Sequence, residues 1–137
     1  VKGRKRQIAV DTQGGLLRAA VHAANVSDQV GVWHVLYRLP VWPRWQTLVV
    51  DAGYATEANA ARCRAMFGDE YQVVQRLGSD FTPQPKRWVV ERTFAWLGKD
   101  RRLSKDYEFL PGVSEACLYL ASLHLLARRL VRLAANC

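Results

Sequence analysis

Read at about 100° per residue, the stretch from Lys86 to Arg102 places Val89, Thr93, Trp96 and Leu97 on one side and Arg87, Glu91, Ala95, Gly98 and Arg102 on the other. The pattern predicts an amphipathic helix on whose polar side Glu91 stands as an acid among bases. Upstream, Gln7-Ile8-Ala9-Val10 and Leu16 to Val21 are apolar runs around Asp11-Thr12-Gln13-Gly14-Gly15. This predicts a hairpin whose turn Asp11 opens. Asn25 to Asp28 offers N-cap residues for a helix from about Gln29 to Leu39, stopped by Pro40. Thr47-Leu48-Val49-Val50 reads as a strand apolar on both faces, with Asp51 at its carboxyl end and a helix from about Thr56 to Phe67 behind it. A second strand, Tyr71 to Leu77, and a loop from Gly78 to Pro85 lead into the Glu91 helix. A strand followed directly by a helix is the signature of an α/β crossover. After Pro111-Gly112, a long helix runs from Val113 to about Ala135. Leu118, Ala121 and Leu125 on one flank, with Leu123, Leu126 and Leu130 on another, predict a broad buried face.

Composition adds a partner class. The chain has 137 residues, one domain's worth, and half of them are apolar, so it can build a core and is not a disordered chain. Twenty Lys and Arg against twelve Asp and Glu leave a net charge of +8, with a pI near 9.9. That excess favours a polyanion such as nucleic acid. Cys63, Cys117 and Cys137 are widely spaced, with no Cys-x-x-Cys or neighbouring His pair. Neither a disulfide framework nor a zinc site is expected, and a cytoplasmic setting fits. The longest apolar stretch, Ala116 to Ala127, is too short to span a bilayer, so no membrane partner is expected. The opening Val1-Lys2-Gly3-Arg4-Lys5-Arg6 reads like the interior of something larger.

Asp51 and Glu91 are the candidates for chemistry. Hard carboxylate oxygens are what Mg²⁺ and Mn²⁺ require, and strand carboxyl ends in α/β sheets gather ligands. The spacing alone equally suits an ordinary helix in which Glu91 pairs with Arg87. Strand-end aspartates are also common. His22, His34 and His124 show no partner pattern, and Trp33, Trp42, Trp45, Trp88 and Trp96 read as packing residues, with Trp42 and Trp45 beside Arg44 able to touch DNA.

The strings Val50-Asp51-Ala52-Gly53-Tyr54, Arg87-Trp88-Val89-Val90-Glu91-Arg92-Thr93-Phe94-Ala95-Trp96-Leu97 and Arg101 to Glu108 resemble the DDE transposases of bacterial insertion sequences. Lys2 to Arg6, Val10-Asp11-Thr12 and His22 to Asp28 match the same family in order. The resemblance implies an α/β, RNase H-like mixed sheet with flanking helices, lacking its first strand, plus a long C-terminal helix. Residues 1–137 would then be a single, N-terminally truncated catalytic domain. It implies three carboxylates holding two Mg²⁺ (or Mn²⁺) ions that cut and rejoin transposon ends and target DNA. Asp51 matches the second carboxylate and Glu91 the third. Arg87 matches the family's arginine four before the glutamate, Gln84 stands where a tyrosine is usual, and Gly98 stands where a lysine is usual, with Lys99 one step on. The first carboxylate lies in the family on a strand before Lys2 to Arg6, so this stretch alone is expected to be inactive. Lys5, Arg6, Arg87, Lys99, Arg101, Arg102 and Lys105 would contact phosphates, in a homo-oligomeric complex in the bacterial cytoplasm, associated with the nucleoid. The alternatives are a non-catalytic DNA-binding or oligomerising remnant, and a nuclease of the same fold that hydrolyses without joining.

Overall fold

A computed structural model describes residues 3–39, 47–51, 54, 56–68, 71–74 and 88–136. Strands β1 (Arg4–Val10) and β2 (Leu16–Ala23) form the expected hairpin, antiparallel, with Arg4 opposite Ala23 and a bulge between Ala9 and Val10. Asp11 builds the turn: its Oδ1 accepts the amides of Gln13 at 2.8 Å and Gly15 at 2.7 Å, and its own N–H donates to Gly15 O at 2.9 Å. A short acceptor that reaches amides two and four residues on is the reason aspartate opens such turns.

Alternation along the hairpin divides its two faces. Ile8, Ala19 and Val21 face one core with Leu97, Leu103, Cys117, Leu118 and Ala121. Ala9 and Leu17 face a second core, built on Trp33, Leu36, Leu39 and Cys63. Helix α1 (Asp28–Leu36) covers that second face, and Gly31 permits the approach: a Cβ there would lie 2.3 Å from His22 Nε2 and 2.5 Å from Gln7 Nε2. The helix ends three residues earlier than the apolar spacing suggests. Bonds from Arg38 N to Val35 O and Leu39 N to Leu36 O tighten its last turn ahead of Pro40, which disfavours a helical residue before it.

Strand β3 (Leu48–Asp51) pairs in parallel with β4 (Tyr71–Val74), and helix α2 (Glu57–Phe67) is the crossover between them. Thr56 caps α2, accepting the Asn59 amide at 3.2 Å. Buried Asn59 also accepts from Trp33 Nε1 at 3.0 Å, tying α2 to α1. The chain is thus mixed α/β, with two two-stranded sheets among the described residues. Gln75 to Leu77, the loop from Gly78 to Pro85 and the segment holding Trp42, Arg44 and Trp45 lie outside those residues.

Helix α3 (Trp88–Leu97) buries Val89, Thr93 and Leu97 and exposes Glu91 and Ala95, as its period predicts. It stops sooner than the pattern suggests. Glycine is unfavourable in a helix interior by about 1 kcal/mol relative to alanine, and at Gly98 the chain leaves the helix for a series of turns. There Asp100 Oδ1 accepts the Arg102 amide at 3.0 Å. Arg102 therefore does not extend the Glu91 face. Helix α4 (Pro111–Ala135) packs on β2 and α3. Two of its side chains serve the outer edge of β2: the Ala19 amide donates to Tyr119 Oη at 3.0 Å and the Val21 amide to Glu115 Oε1 at 2.9 Å. Edge amides covered in this way no longer offer a template for another strand.

Only one of α4's two apolar flanks is covered. Leu118 and Ala121 are buried and Leu125 is half-buried, but Leu123, Leu126 and Leu130 are 61%, 40% and 66% exposed. The broad buried face expected from periodicity is corrected to a narrow one. Apolar spacing reports what a helix could bury, not what stands opposite it. Among the described residues, no helix is long and apolar enough to cross a membrane.

Candidate active site and basic surface

Glu91 is positioned by what happens on the far side of α3. Thr93, two residues on and fully buried, has its hydroxyl 2.9 Å from Val89 O and 3.1 Å from Gly14 O in the hairpin turn. Gly14 has a φ of +81°, and a Cβ there would meet Thr93 Oγ1 at 2.7 Å and Trp96 at 3.0 Å. The hairpin turn is therefore seated directly on α3. With Val89, Thr93 and Leu97 held inward, Glu91 must point to solvent at the helix's first turn, where a carboxylate is favoured by the helix dipole.

The backbone carries Asp51 to the carboxyl end of β3, in a parallel pair, where open α/β sheets collect ligands. Helix α3 makes its main contacts with β1 and α4. Asp51 and Glu91 offer the hard oxygen donors that Mg²⁺ or Mn²⁺ takes. Among the described residues, no group of three His, Cys, Asp or Glu stands close enough to hold an ion. The donors are of the right kind, and an assembled three-ligand site is not among the described residues. Arg87 and Gln84 lie outside them.

The cations divide into two groups. Lys5 donates to Val26 O at 3.0 Å and pairs with Asp28 at 2.8 Å, bracing the start of α1. Arg6 donates to Leu103 O at 2.8 Å and Lys105 O at 3.0 Å, latching the turn after α3 onto β1. Arg4 holds Glu108 O, Phe109 O and Asp106 beside it. Arg102 pairs with Glu108 at 2.9 Å while remaining largely exposed. Lys99, Arg101 and Lys105 are exposed, with no side-chain partner among the described residues.

Several arrangements were not anticipated. Arg92 lies over Trp88 at 4.3 Å and Trp96 at 4.5 Å, and Arg129 of α4 lies over Trp96 at 4.5 Å from the ring centre. The i, i+4, i+8 spacing of Trp88, Arg92 and Trp96 was the available signal for half of this stack. His22 and His34, read as isolated, stack with ring centres 5.6 Å apart. Their contact joins β2 to α1, and no local pattern announces it. A cavity of about 520 Å³ between α1 and α2, lined by Trp33, Tyr37, Arg38, Asn59 and Arg62 among others, does not include Glu91. Burial, and next the adjacent Glu108 carboxylate, push the Cys117 thiol pKa up.

Residues 1–126 match the family described as the transposase DDE domain, so the chain belongs to that family. It is similar to the transposase assigned to insertion sequence element IS402 of Burkholderia cepacia, at 31% identity over 127 residues, covering 86% of this chain. The chain spans about 60% of that relative's length. No solved structure matches it significantly.

Proposed function

We propose that the chain is the greater part of a transposase catalytic domain that acts in the transposition of an insertion sequence, cutting DNA strands and joining them with the help of divalent metal. The observation that carries this reading is family membership over residues 1–126. Asp51 and Glu91 would hold the metal, which supplies an activated nucleophile and neutralises charge on the phosphoryl oxygens, so no covalent protein intermediate is required. A third carboxylate completes the set in this reading, within an RNase H-like sheet that has one strand more than the described residues contain. Arg87, Lys99, Arg101, Arg102 and Lys105 contact DNA phosphates, with Lys5 and Arg6 adding positive potential, and the active complex contains more than one copy.

The test uses end-labelled transposon-end duplex with Mg²⁺ or Mn²⁺, and compares this chain with a version extended upstream. Joined products from the extended form, lost in Asp51→Asn and in Glu91→Gln, are expected. Hydrolysed products without joining would indicate a nuclease. Binding without any cleavage by the extended form would overturn the catalytic reading in favour of a DNA-binding remnant.

A further inference from the structure

Helix α4 is about 37 Å long at 1.5 Å per residue, and its outward half has a repeat of its own. Ala116, Leu120, Leu123, Ala127, Leu130 and Ala134 recur at alternating spacings of four and three, the seam that one helix offers another. Leu120, Leu123 and Leu130 on it are 65%, 61% and 66% exposed. From Ala116 to Ala134 this outward half carries no Lys, Arg, Asp or Glu. The helix's three arginines in that span lie on the other side: Arg129 packs on Trp96, Arg128 follows buried Ala121 by two turns, and Arg132 follows buried Leu118 by four.

We propose that this seam is the interface between two copies of the chain, packed as an antiparallel helix pair. Depleted charge with clustered leucine is the composition of an interface core and the opposite of a phosphate-binding face. A protein carrying +8 meets no like-charge repulsion along such a seam. Orientation follows from the arginines. Parallel packing would gather six of them at one end. Antiparallel packing keeps the two groups at opposite ends of the pair, where their mutual repulsion is weakest. Antiparallel layers set Leu120 against Leu130, Leu123 against Ala127 and Ala116 against Ala134, so that the bulky leucine at 123 meets a small partner. Leu126 and Leu133, 40% and 64% exposed, flank these layers. At about 100 Å² of exposed surface each, the five leucines would remove roughly 1,000 Å² over the two copies if fully covered, the floor that a biological interface has to clear before the residues around the seam are added.

Sedimentation equilibrium of the chain from about 1 to about 100 µM tests this. Twice the 15.5 kDa chain mass is expected. Leu123→Glu and Leu130→Glu should each weaken association by roughly 100-fold or more, since each places two unpaired carboxylates in the seam. Both positions are exposed, so the circular dichroism and melting temperature of the monomer should not change. A mixture of Ala116→Cys and Ala134→Cys chains should oxidise to the 116–134 cross-link and not to the 116–116 or 134–134 species, a readout that needs no seam leucine replaced. A monomer throughout the range overturns the proposal, as does a dimer that survives both glutamates. Binding of anionic vesicles through Leu123 and Leu130 by a monomeric chain would overturn it in favour of a membrane surface, and a 116–116 cross-link would overturn the antiparallel order.

Discussion

Replacing Gly14 by alanine tests whether the hairpin turn sets the position of the helix that carries Glu91. Two effects add. At a φ of +81° an alanine carries left-handed strain of roughly 1–2 kcal/mol. Its methyl would also stand 2.7 Å from Thr93 Oγ1 and 3.0 Å from Trp96. Ordinary contact needs about 3.5–4.0 Å between carbon atoms, so the turn must retreat by several tenths of an ångström. That weakens the 3.1 Å hydrogen bond from Thr93 to Gly14 O, a contribution of about 0.5–1.5 kcal/mol. The expected loss is therefore roughly 1.5–3.5 kcal/mol, read as a lower urea midpoint with unchanged slope. Gly112→Ala is the control. It lies at the start of α4 with nothing within 4 Å of an added Cβ, and should leave stability unchanged or raise it by up to about 1 kcal/mol. The decisive measurement repeats Gly14→Ala in a Thr93→Ala background, where the nearest obstructing atom is gone. The loss should shrink by at least about 0.5 kcal/mol, the coupling of residues in contact. Equal losses in both backgrounds would refute the seating of the turn on α3.

Cys117 should alkylate slowly at neutral pH, because burial raises its thiol pKa. Glu108→Gln should shift the pH–rate profile down and Arg102→Ala should shift it up, since the carboxylate opposes the thiolate and the guanidinium favours it. The linked stability is present below the ordinary thiol pKa and is lost as pH rises through the raised folded value, because the unfolded chain loses its proton first. Denaturation midpoints followed from neutral to alkaline pH check the sign. Alanine at Lys99, Arg101 or Lys105 should reduce the salt slope of DNA binding by roughly one unit each without changing the melting temperature. Arg6→Lys should lower stability by about 1–3 kcal/mol despite keeping the charge, because an ammonium cannot hold two carbonyls as the guanidinium fork does.

The parts of the fold legible in the sequence are those in which a local rule and the tertiary structure agree. Asp11, Gly14 and Gly15 specify their turn through hydrogen bonds within five residues, and α3 buries the residues its period selects. Local rules stop at through-space contacts. His22 meets His34 only because Gly31 lets α1 lie close on the sheet, and Trp96 meets Arg129 only because α4 crosses α3. The outward flank of α4 differs from its periodicity for a related reason, since Leu123 and Leu130 have the spacing of a core but none of the described residues covers them. Position raised Asp51 and Glu91, one at a strand's carboxyl end and the other an acid among bases, but neither feature separates them from ordinary strand-end aspartates and helix glutamates. Motif likeness made that separation, because an exposed glutamate on a helix is an ordinary feature.

The N-terminal cations illustrate how far composition can be trusted. Lys5 and Arg6 read as an arm for phosphates, yet in the fold each donates to backbone carbonyls from a different part of the chain. A lysine at 2.8 Å from Asp28 or an arginine already donating to two carbonyls would have to exchange those bonds for a phosphate, and little would be gained by the exchange. Their charge still acts at a distance, over the roughly 8–10 Å that salt allows. Arg6 has the more specific effect. The carbonyls it holds belong to Leu103 and Lys105, within the turn that displays Lys99, Arg101 and Lys105 to solvent. A strand residue thus orders a loop of free cations immediately after the helix of Glu91. The +8 charge is therefore divided between cations that build the frame and cations that the frame presents.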